Sequence, residues 1–134
     1  MTEANKALLG RYVEFYNERA WDRLRELLAD DYVHHSNADE LTAAQFVRGA
    51  EWIIAGIPDF RVEFVDLVAE GDRAVARWIG TGTHAESMFG EAPRSSRVAL
   101  CGFTLFRFAD GRIAEDWEVM DEGDLRRQIG APAG

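Results

Sequence analysis

The stretch SRVALCGFTLFRFADGRIAEDWEVMD, residues 96–121, repeats apolar side chains at every second position. This period is typical of β-strands, in which successive side chains point to opposite faces of the sheet. The turn residues Ala-Asp-Gly at 109–111 divide the stretch and favour a hairpin between two strands, 96–108 and 112–121. We therefore predict two long antiparallel strands here.

The second of these strands contains an apolar row that ends in a carboxylate. Alternation places Ile113, Glu115, Trp117, Val119 and Asp121 on one side, and three of these five side chains are large and apolar. We therefore expect this side of the strand to be buried. The row raises the question of what Asp121 does at its end.

Two further strands and one short strand are predicted upstream of the hairpin. The residues at 60–69 and 73–84 alternate with a period of two and are joined by the compact turn Glu-Gly-Asp at 70–72. The segment YVHH at 32–35 is typical of a short strand. The last four predicted strands are consecutive along the chain, so we expect an antiparallel meander.

Four segments have the spacing of amphipathic helices. The third begins at the capping-box pair Thr42 and Gln45 and stops where Gly56 is followed by Pro58. Helices followed by a meander predict a single α+β domain over residues 1–134. The apolar positions of the four helices are Leu8, Leu9, Tyr12, Val13 and Tyr16; Trp21, Leu24, Leu27 and Leu28; Phe46, Ala50, Ile53 and Ile54; and Leu125 and Ile129.

The strand at 96–108 is apolar on both of its faces. One face carries Val98, Leu100, Phe106 and Phe108, and the other carries Cys101, Phe103 and Leu105. The helices can cover only one face, and a second subunit is the simplest cover for the other. We therefore expect a homodimer or a homotetramer.

Charge and cysteine content restrict the partners and the compartment. With 24 acidic and 15 basic residues the net charge is −9, which argues against nucleic acid and anionic membrane surfaces as partners. Cys101 is the only cysteine, so an intramolecular disulfide is excluded and a reducing compartment is indicated. No signal-peptide pattern and no membrane-spanning apolar run is present, so we expect a cytoplasmic protein.

Over nearly its whole length the chain resembles the SnoaL-like polyketide cyclases of the nuclear transport factor two-like superfamily. The segments that carry the resemblance are YNERAWDRLRELLADDYVHHS (16–36), IPDF (57–60), ARWIGTGTH (76–84), FTLFRFADGRIAEDW (103–117) and Asp121 with QIG (128–130). The resemblance implies a cone-shaped barrel, in which a curved, mostly antiparallel sheet and the N-terminal helices enclose an apolar pocket. It also implies an intramolecular aldol cyclisation of a polyketide-like, hydrophobic small molecule, without cofactor or metal.

Asp121 matches the position of the family's acid/base aspartate, four residues after Trp117. An apolar environment disfavours the charged carboxylate, so it raises the pKa towards the value that suits an acid/base catalyst near neutral pH. The alternative is that Asp121 caps the last helix, at the head of DEGDLRRQ. The sequence leaves both roles open.

The histidines and aromatic residues supply the other candidates for the site. His34 and His35 are adjacent on a strand, so only one can face the pocket, and the family's pattern favours His35 as a hydrogen-bonding partner of Asp121 or of the substrate. No pair of histidines has the i, i+2 or i, i+4 spacing of metal ligands, so no metal is expected. The remaining candidates are the substrate-binding residues Tyr16, Trp52, His84 and Trp117. The alternative is core packing for Tyr16 and Trp52 and the capping of a loop for His84.

Two rival functions use the same scaffold. A limonene-epoxide-hydrolase-like enzyme would resemble this chain in its W-x-x-x-D ending but needs an Asp–Arg–Asp group, and the strand around Arg77 has no neighbouring aspartate in sequence. Epoxide-opening ring closure by a cyclase stays open as an alternative. A binding protein for hydrophobic ligands, without catalysis, has no need of a carboxylate in its pocket. A buried acid would therefore favour an enzyme over a binding protein.

Overall fold

A computed structural model describes residues 2–132 and confirms the predicted α+β class. The described part contains four helices, α1 (Thr2–Glu18), α2 (Trp21–Glu26), α3 (Ala43–Gly56) and α4 (Glu122–Gln128). Its six strands are β1 (Leu28–Ser36), β2 (Asp39–Leu41), β3 (Arg61–Glu70), β4 (Arg73–Thr83), β5 (Arg97–Ala109) and β6 (Arg112–Met120). The four long strands lie within one residue of their predicted bounds at each end, whereas the three-residue strand β2 was not predicted.

The strands form one curved, mixed sheet in the order β2-β1-β6-β5-β4-β3. All neighbours pair antiparallel except β1 and β6, which are parallel. The sheet curves around the helices as expected but does not close into a barrel, because the edge strands β2 and β3 do not pair with each other. No helix between residues 2 and 132 is long and apolar enough to cross a membrane.

The two faces of β5 differ in burial as the alternation predicts. Its inward positions pack with α1, α3 and α4 in the core, whereas Phe103 on the opposite face is 55% exposed and Cys101 is also exposed. The inward apolar residues are Val98, Leu100, Phe106 and Phe108. The outer face of the sheet therefore carries exposed apolar side chains that no helix of residues 2–132 covers.

A β-bulge in β6 reverses the predicted faces of that strand. Ile113 pairs with Phe108 and Glu115 pairs with Arg107, so Ala114 is an extra residue without a partner in β5. Ile113 and Ala114 are both buried for this reason. Because side chains alternate with a period of two, one extra residue exchanges the two faces of everything that follows.

Beyond the bulge, the first two inward residues of β6 are acidic. Asp116 is fully buried and Glu118 lines the interior, whereas Val119 is 66% exposed. The prediction that Glu115, Trp117 and Val119 share the buried side with Ile113 is therefore wrong. The inward row of this strand carries two carboxylates instead.

Candidate acid-base site

A pocket of about 130 Å³ lies between the inner face of the sheet and helices α1 and α3. Most of its wall is aromatic or aliphatic, and its polar groups come chiefly from β1, β5 and β6. The residues that line it are Tyr12, Val13, Tyr16, His34, Ser36, Leu41, Gln45, Phe46, Gly49, Ala50, Ile53, Phe60, Val62, Phe64, Trp78, Thr104, Phe106, Glu118 and Met120. A cavity of about 150 Å³ is known to hold one benzene ring, so this pocket accepts a group of about that size in its present shape.

Asp116 is a buried carboxylate held by two side chains of β1. Its Oδ1 bonds to Nδ1 of His34, and its Oδ2 accepts a hydrogen bond of 2.5 Å from the Tyr32 hydroxyl. The parallel pairing of β1 with β6 places His34 directly opposite Asp116. Burial of a charge is costly unless it is paired and hydrogen-bonded, and these two partners meet that requirement.

His34 connects Asp116 to the pocket. Its Nε2 lies 3.8 Å from Oε1 of Glu118, and its ring contacts the edge of Phe46 at a centroid distance of 4.9 Å. Burial disfavours the imidazolium, but the hydrogen bond and charge of Asp116, together with the charge of Glu118, outweigh burial and raise the pKa of His34. The folded protein therefore favours the protonated form of His34 more than water does.

Glu118 is the carboxylate that reaches the pocket. Burial raises the pKa of Glu118 from 4.5 to about 7. The charge of His34 opposes this shift, and the charge of Asp116 adds to it. Thr104 donates a hydrogen bond of 3.2 Å to its Oε2, and the indole N–H of Trp78 donates to the Thr104 hydroxyl at 3.0 Å. Glu118 is thus oriented by a short hydrogen-bonded chain and can bind or release a proton near neutral pH.

Two phenols of α1 line the same pocket as His34 and Glu118. Tyr12 and Tyr16 line the pocket, and burial together with the charge of Glu118 raises the pKa of each phenol above its usual range. Each hydroxyl therefore stays protonated and can donate a hydrogen bond to a ligand oxygen. Tyr16 is placed in the pocket as predicted, and its role in binding stays a prediction.

Asp121 does not lie in the pocket. It is exposed at the N-terminus of α4, where its Oδ1 accepts a hydrogen bond of 3.0 Å from the backbone N–H of Asp124. The expectation that apolar groups surround Asp121 is wrong, because β6 ends at Met120 and the chain turns outward into the helix. The geometry is that of the helix cap that the sequence offered as the alternative.

His35 faces the opposite side of the sheet from His34. Its ring stacks on Trp117 at a centroid distance of 5.1 Å, and its Nε2 lies 2.6 Å from Oε2 of Glu115. The expected contact between His35 and Asp121 is therefore replaced by a contact with Glu115. His35 and Trp117 both belong to the outer face, so neither lines the pocket.

Trp52 and His84 also lie away from the pocket. Trp52 is 47% exposed and packs its ring against the edge of Phe89. His84 is fully buried, and neither of its ring nitrogens has a partner within residues 2–132. The structure thus brings Tyr16 to the pocket but not the other predicted substrate-binding residues.

Sequence reasoning missed Asp116 and Glu118, although a signal for them was present. Residues two apart on a strand share a face in every register, so Asp116 and Glu118 had to lie together. The parallel pairing of β6 with β1, which adds His34 to the same group, is not visible in the sequence.

The curved sheet and its apolar, acid-containing pocket define an α+β protein of the nuclear transport factor two-like class. Residues 6–129 match the family model for SnoaL-like polyketide cyclase, so the chain belongs to that family. None of the curated proteins matches the chain.

Several solved structures of bacterial proteins share this fold. AclR from Streptomyces galilaeus, a proposed hydroxylase, is 28% identical over 97% of this chain and 83% of its own, with a TM-score of 0.89. TsrD from Streptomyces laurentii is 27% identical over 98% of both chains, with a TM-score of 0.84. IdmH from Streptomyces antibioticus, a proposed polyketide cyclase, is 24% identical over 94% of this chain and 98% of its own; its TM-score of 0.87 supports the fold alone. Membership of this family supports a cyclase-type role.

Proposed function

We propose that this protein is a cyclase that closes a ring by acid/base chemistry, of the intramolecular aldol type, on a polyketide-like molecule. The observation that carries the proposal is Glu118, an oriented carboxylate in an apolar pocket whose pKa is raised to about 7. A base is most effective when its pKa lies near the working pH. His34 beside it supplies an acid whose charged form is favoured by Asp116.

The proposed reaction begins when the ionised Glu118 removes a proton from a carbon next to a carbonyl group. The electron pair of that C–H bond moves onto the carbonyl oxygen, and a hydroxyl donor such as Tyr16 stabilises the enolate. The enolate carbon then attacks a second carbonyl of the same molecule, which forms the C–C bond. His34 donates its Nε2 proton to the new alkoxide, and the proton on Glu118 returns to His34, so the site is regenerated.

The rival functions fit the site less well. Arg77, the arginine considered for epoxide opening, pairs with Asp66 at 2.7 Å, but both side chains are exposed on the outer face. A binding protein has no use for Glu118, because burial of its charge opposes folding at neutral pH. We therefore prefer an enzyme to either alternative.

We also propose that a second copy of the chain covers the outer face of the sheet. Phe103, Val119 and Val75 are 55%, 66% and 38% exposed on this face. Phe103 pairs with Val119 across β5 and β6, so these side chains are neighbours in one patch. Contiguous exposed apolar side chains are typical of subunit interfaces.

The proposed function is tested with ring-sized and chain-like ketone probes. Proton exchange next to the carbonyl of cyclohexanone in D₂O reports the first step, and ring closure of heptane-2,6-dione reports the complete reaction. Glu118→Gln should lower both rates by at least about a hundredfold, the lower end of what a positioned proton-transfer group supplies.

Glu115→Gln is the matched control, because Glu115 lies on the same strand but on the outer face. It should leave both rates unchanged. Wild-type protein that does not accelerate exchange, or a Glu118→Gln variant with the wild-type rate, would refute the proposed function.

A further inference from the structure

We propose that Tyr32 is a positioning residue, which acts through Asp116 to set the pH at which His34 binds its proton. Its bearing on catalysis rests on the proposed function, but its effect on His34 does not. Tyr32 is not among the residues that line the pocket, so it does not touch the ligand. Tyr32 is 6% exposed, and its hydroxyl lies 2.5 Å from Oδ2 of Asp116.

The position of Tyr32 in β1 makes the contact with Asp116 specific. Tyr32 and His34 are two residues apart, so both side chains leave the strand on its inner face. Each of them bonds to a different oxygen of the Asp116 carboxylate. The carboxylate therefore has a fixed orientation, and it is completely buried.

The direction of each hydrogen bond follows from the chemistry of the three groups. Burial and the charge of Asp116 raise the pKa of Tyr32, so the phenol keeps its only proton and donates it to Asp116. Asp116 then accepts on its second oxygen as well, which places a proton on Nδ1 of His34. The other ring nitrogen, Nε2, is the one that gains and loses a proton on the side of Glu118.

Tyr32 also limits how strongly Asp116 attracts the proton of His34. A hydrogen bond to an anion stabilises that anion, so the Tyr32 hydroxyl lowers the proton affinity of the His34–Asp116 pair. Without the hydroxyl, the pair holds its proton more tightly, wherever in the pair the proton resides. His34 would then be a weaker acid at the end of the reaction.

The experiment is an NMR titration of the His34 ring in the wild type and in Tyr32→Phe, with His34→Asn to assign the signal. We expect the apparent pKa of the pair to rise by roughly half to one pH unit. This is a part of the roughly one to two units that a whole hydrogen bond to a charged group corresponds to, because the hydroxyl bonds Asp116 in both protonation states of the pair. Tyr16→Phe is the control: it also removes a buried phenol of the pocket but makes no hydrogen bond to Asp116, so the titration should not move.

A second variant tests the opposite direction without a loss of volume. Site-specific 3-fluorotyrosine at position 32 is a more acidic phenol and a stronger donor, so the apparent pKa of the pair should fall. An unchanged titration in either Tyr32 variant would overturn the proposal.

Enzyme kinetics separate this proposal from the proposed function. If the pair is the acid of the reaction, the pH–rate profile for heptane-2,6-dione should move with the titration in Tyr32→Phe. If the wild type has no activity, the proposed function fails, while a shifted titration still establishes Tyr32 as the residue that controls His34.

Discussion

Replacing Glu118 with glutamine should stabilise the protein at neutral and higher pH, and the gain should grow with pH. The folded state raises the pKa of Glu118 from 4.5 to about 7, so between these values it holds a proton that the unfolded chain has released. The binding of this proton stabilises the folded state. The stabilisation is fully present below the pKa of Glu118 in the unfolded chain, and it is lost as pH rises through its pKa in the folded state. At 1.36 kcal/mol per pH unit, the contribution is about 3 kcal/mol.

The assay is urea unfolding of the wild type and of Glu118→Gln at several pH values. Glutamine has the same shape and does not titrate, so the difference between the two unfolding free energies isolates Glu118. This difference should change by about 2.5 kcal/mol in favour of the variant between pH 5 and pH 8.

The control for this measurement is Asp59→Asn. Hydrogen bonds from Thr83, together with the charge of Arg97, lower the pKa of Asp59, so its carboxylate stays ionised over this pH range, and none of these partners is a histidine. Its difference from the wild type should therefore not grow between pH 5 and pH 8. A Glu118→Gln curve parallel to that of the wild type would refute the account of Glu118 as a buried, neutral-range base.

Three further predictions concern other parts of the molecule. Thr104→Val removes the donor to Glu118 and leaves the Trp78 indole unpaired, so it should lose about 1–3 kcal/mol of unfolding free energy, whereas Thr104→Ser should not. Phe103→Glu should convert an oligomer into a monomer in sedimentation equilibrium; a wild type of only 15.1 kDa would contradict the proposed interface. Asp121→Ala should lose about 1 kcal/mol as a lost helix cap and Asp121→Asn almost nothing, both with normal ring closure; a hundredfold slower Asn variant would restore Asp121 to the mechanism.

The sequence is sufficient for most of the fold because hydrophobic period and turn residues are local signals. The alternation of β5 predicts both of its faces correctly, and the capping box at Thr42 and Gln45 forms as expected. The turn signals that Asn and Gly residues provide are weak around β2, and a strand of three residues is too short to show the alternation of apolar and polar side chains.

The site is harder to predict because it depends on which face of the sheet each residue of β6 occupies and on the pairing between strands that are distant in sequence. The unpaired residue Ala114 exchanges the faces of the following strand, so Trp117 lies outside and Glu118 inside. A choice between His34 and His35 needs the partner strand, which lies about eighty residues further along the chain. Asp121 was misplaced for a related reason, since a strand end and a helix cap look the same in an alternating pattern.

The bulge at Ala114 also determines which kinds of mutation can alter the chemistry of this pocket. Point substitutions exchange one lining side chain at a time and leave the rest of the wall as it was. Deletion of Ala114 would remove the bulge but leave Ile113 opposite Phe108 and Glu115 opposite Arg107, so no side chain would change face. A one-residue shift in register that paired Ala114 with Arg107 would instead turn the following segment over and carry Glu118 out of the interior. The bulge is therefore a spare residue: its loss would keep the reactive groups of the pocket in place, whereas a one-residue change in the pairing of β5 with β6 would replace several of them in a single event.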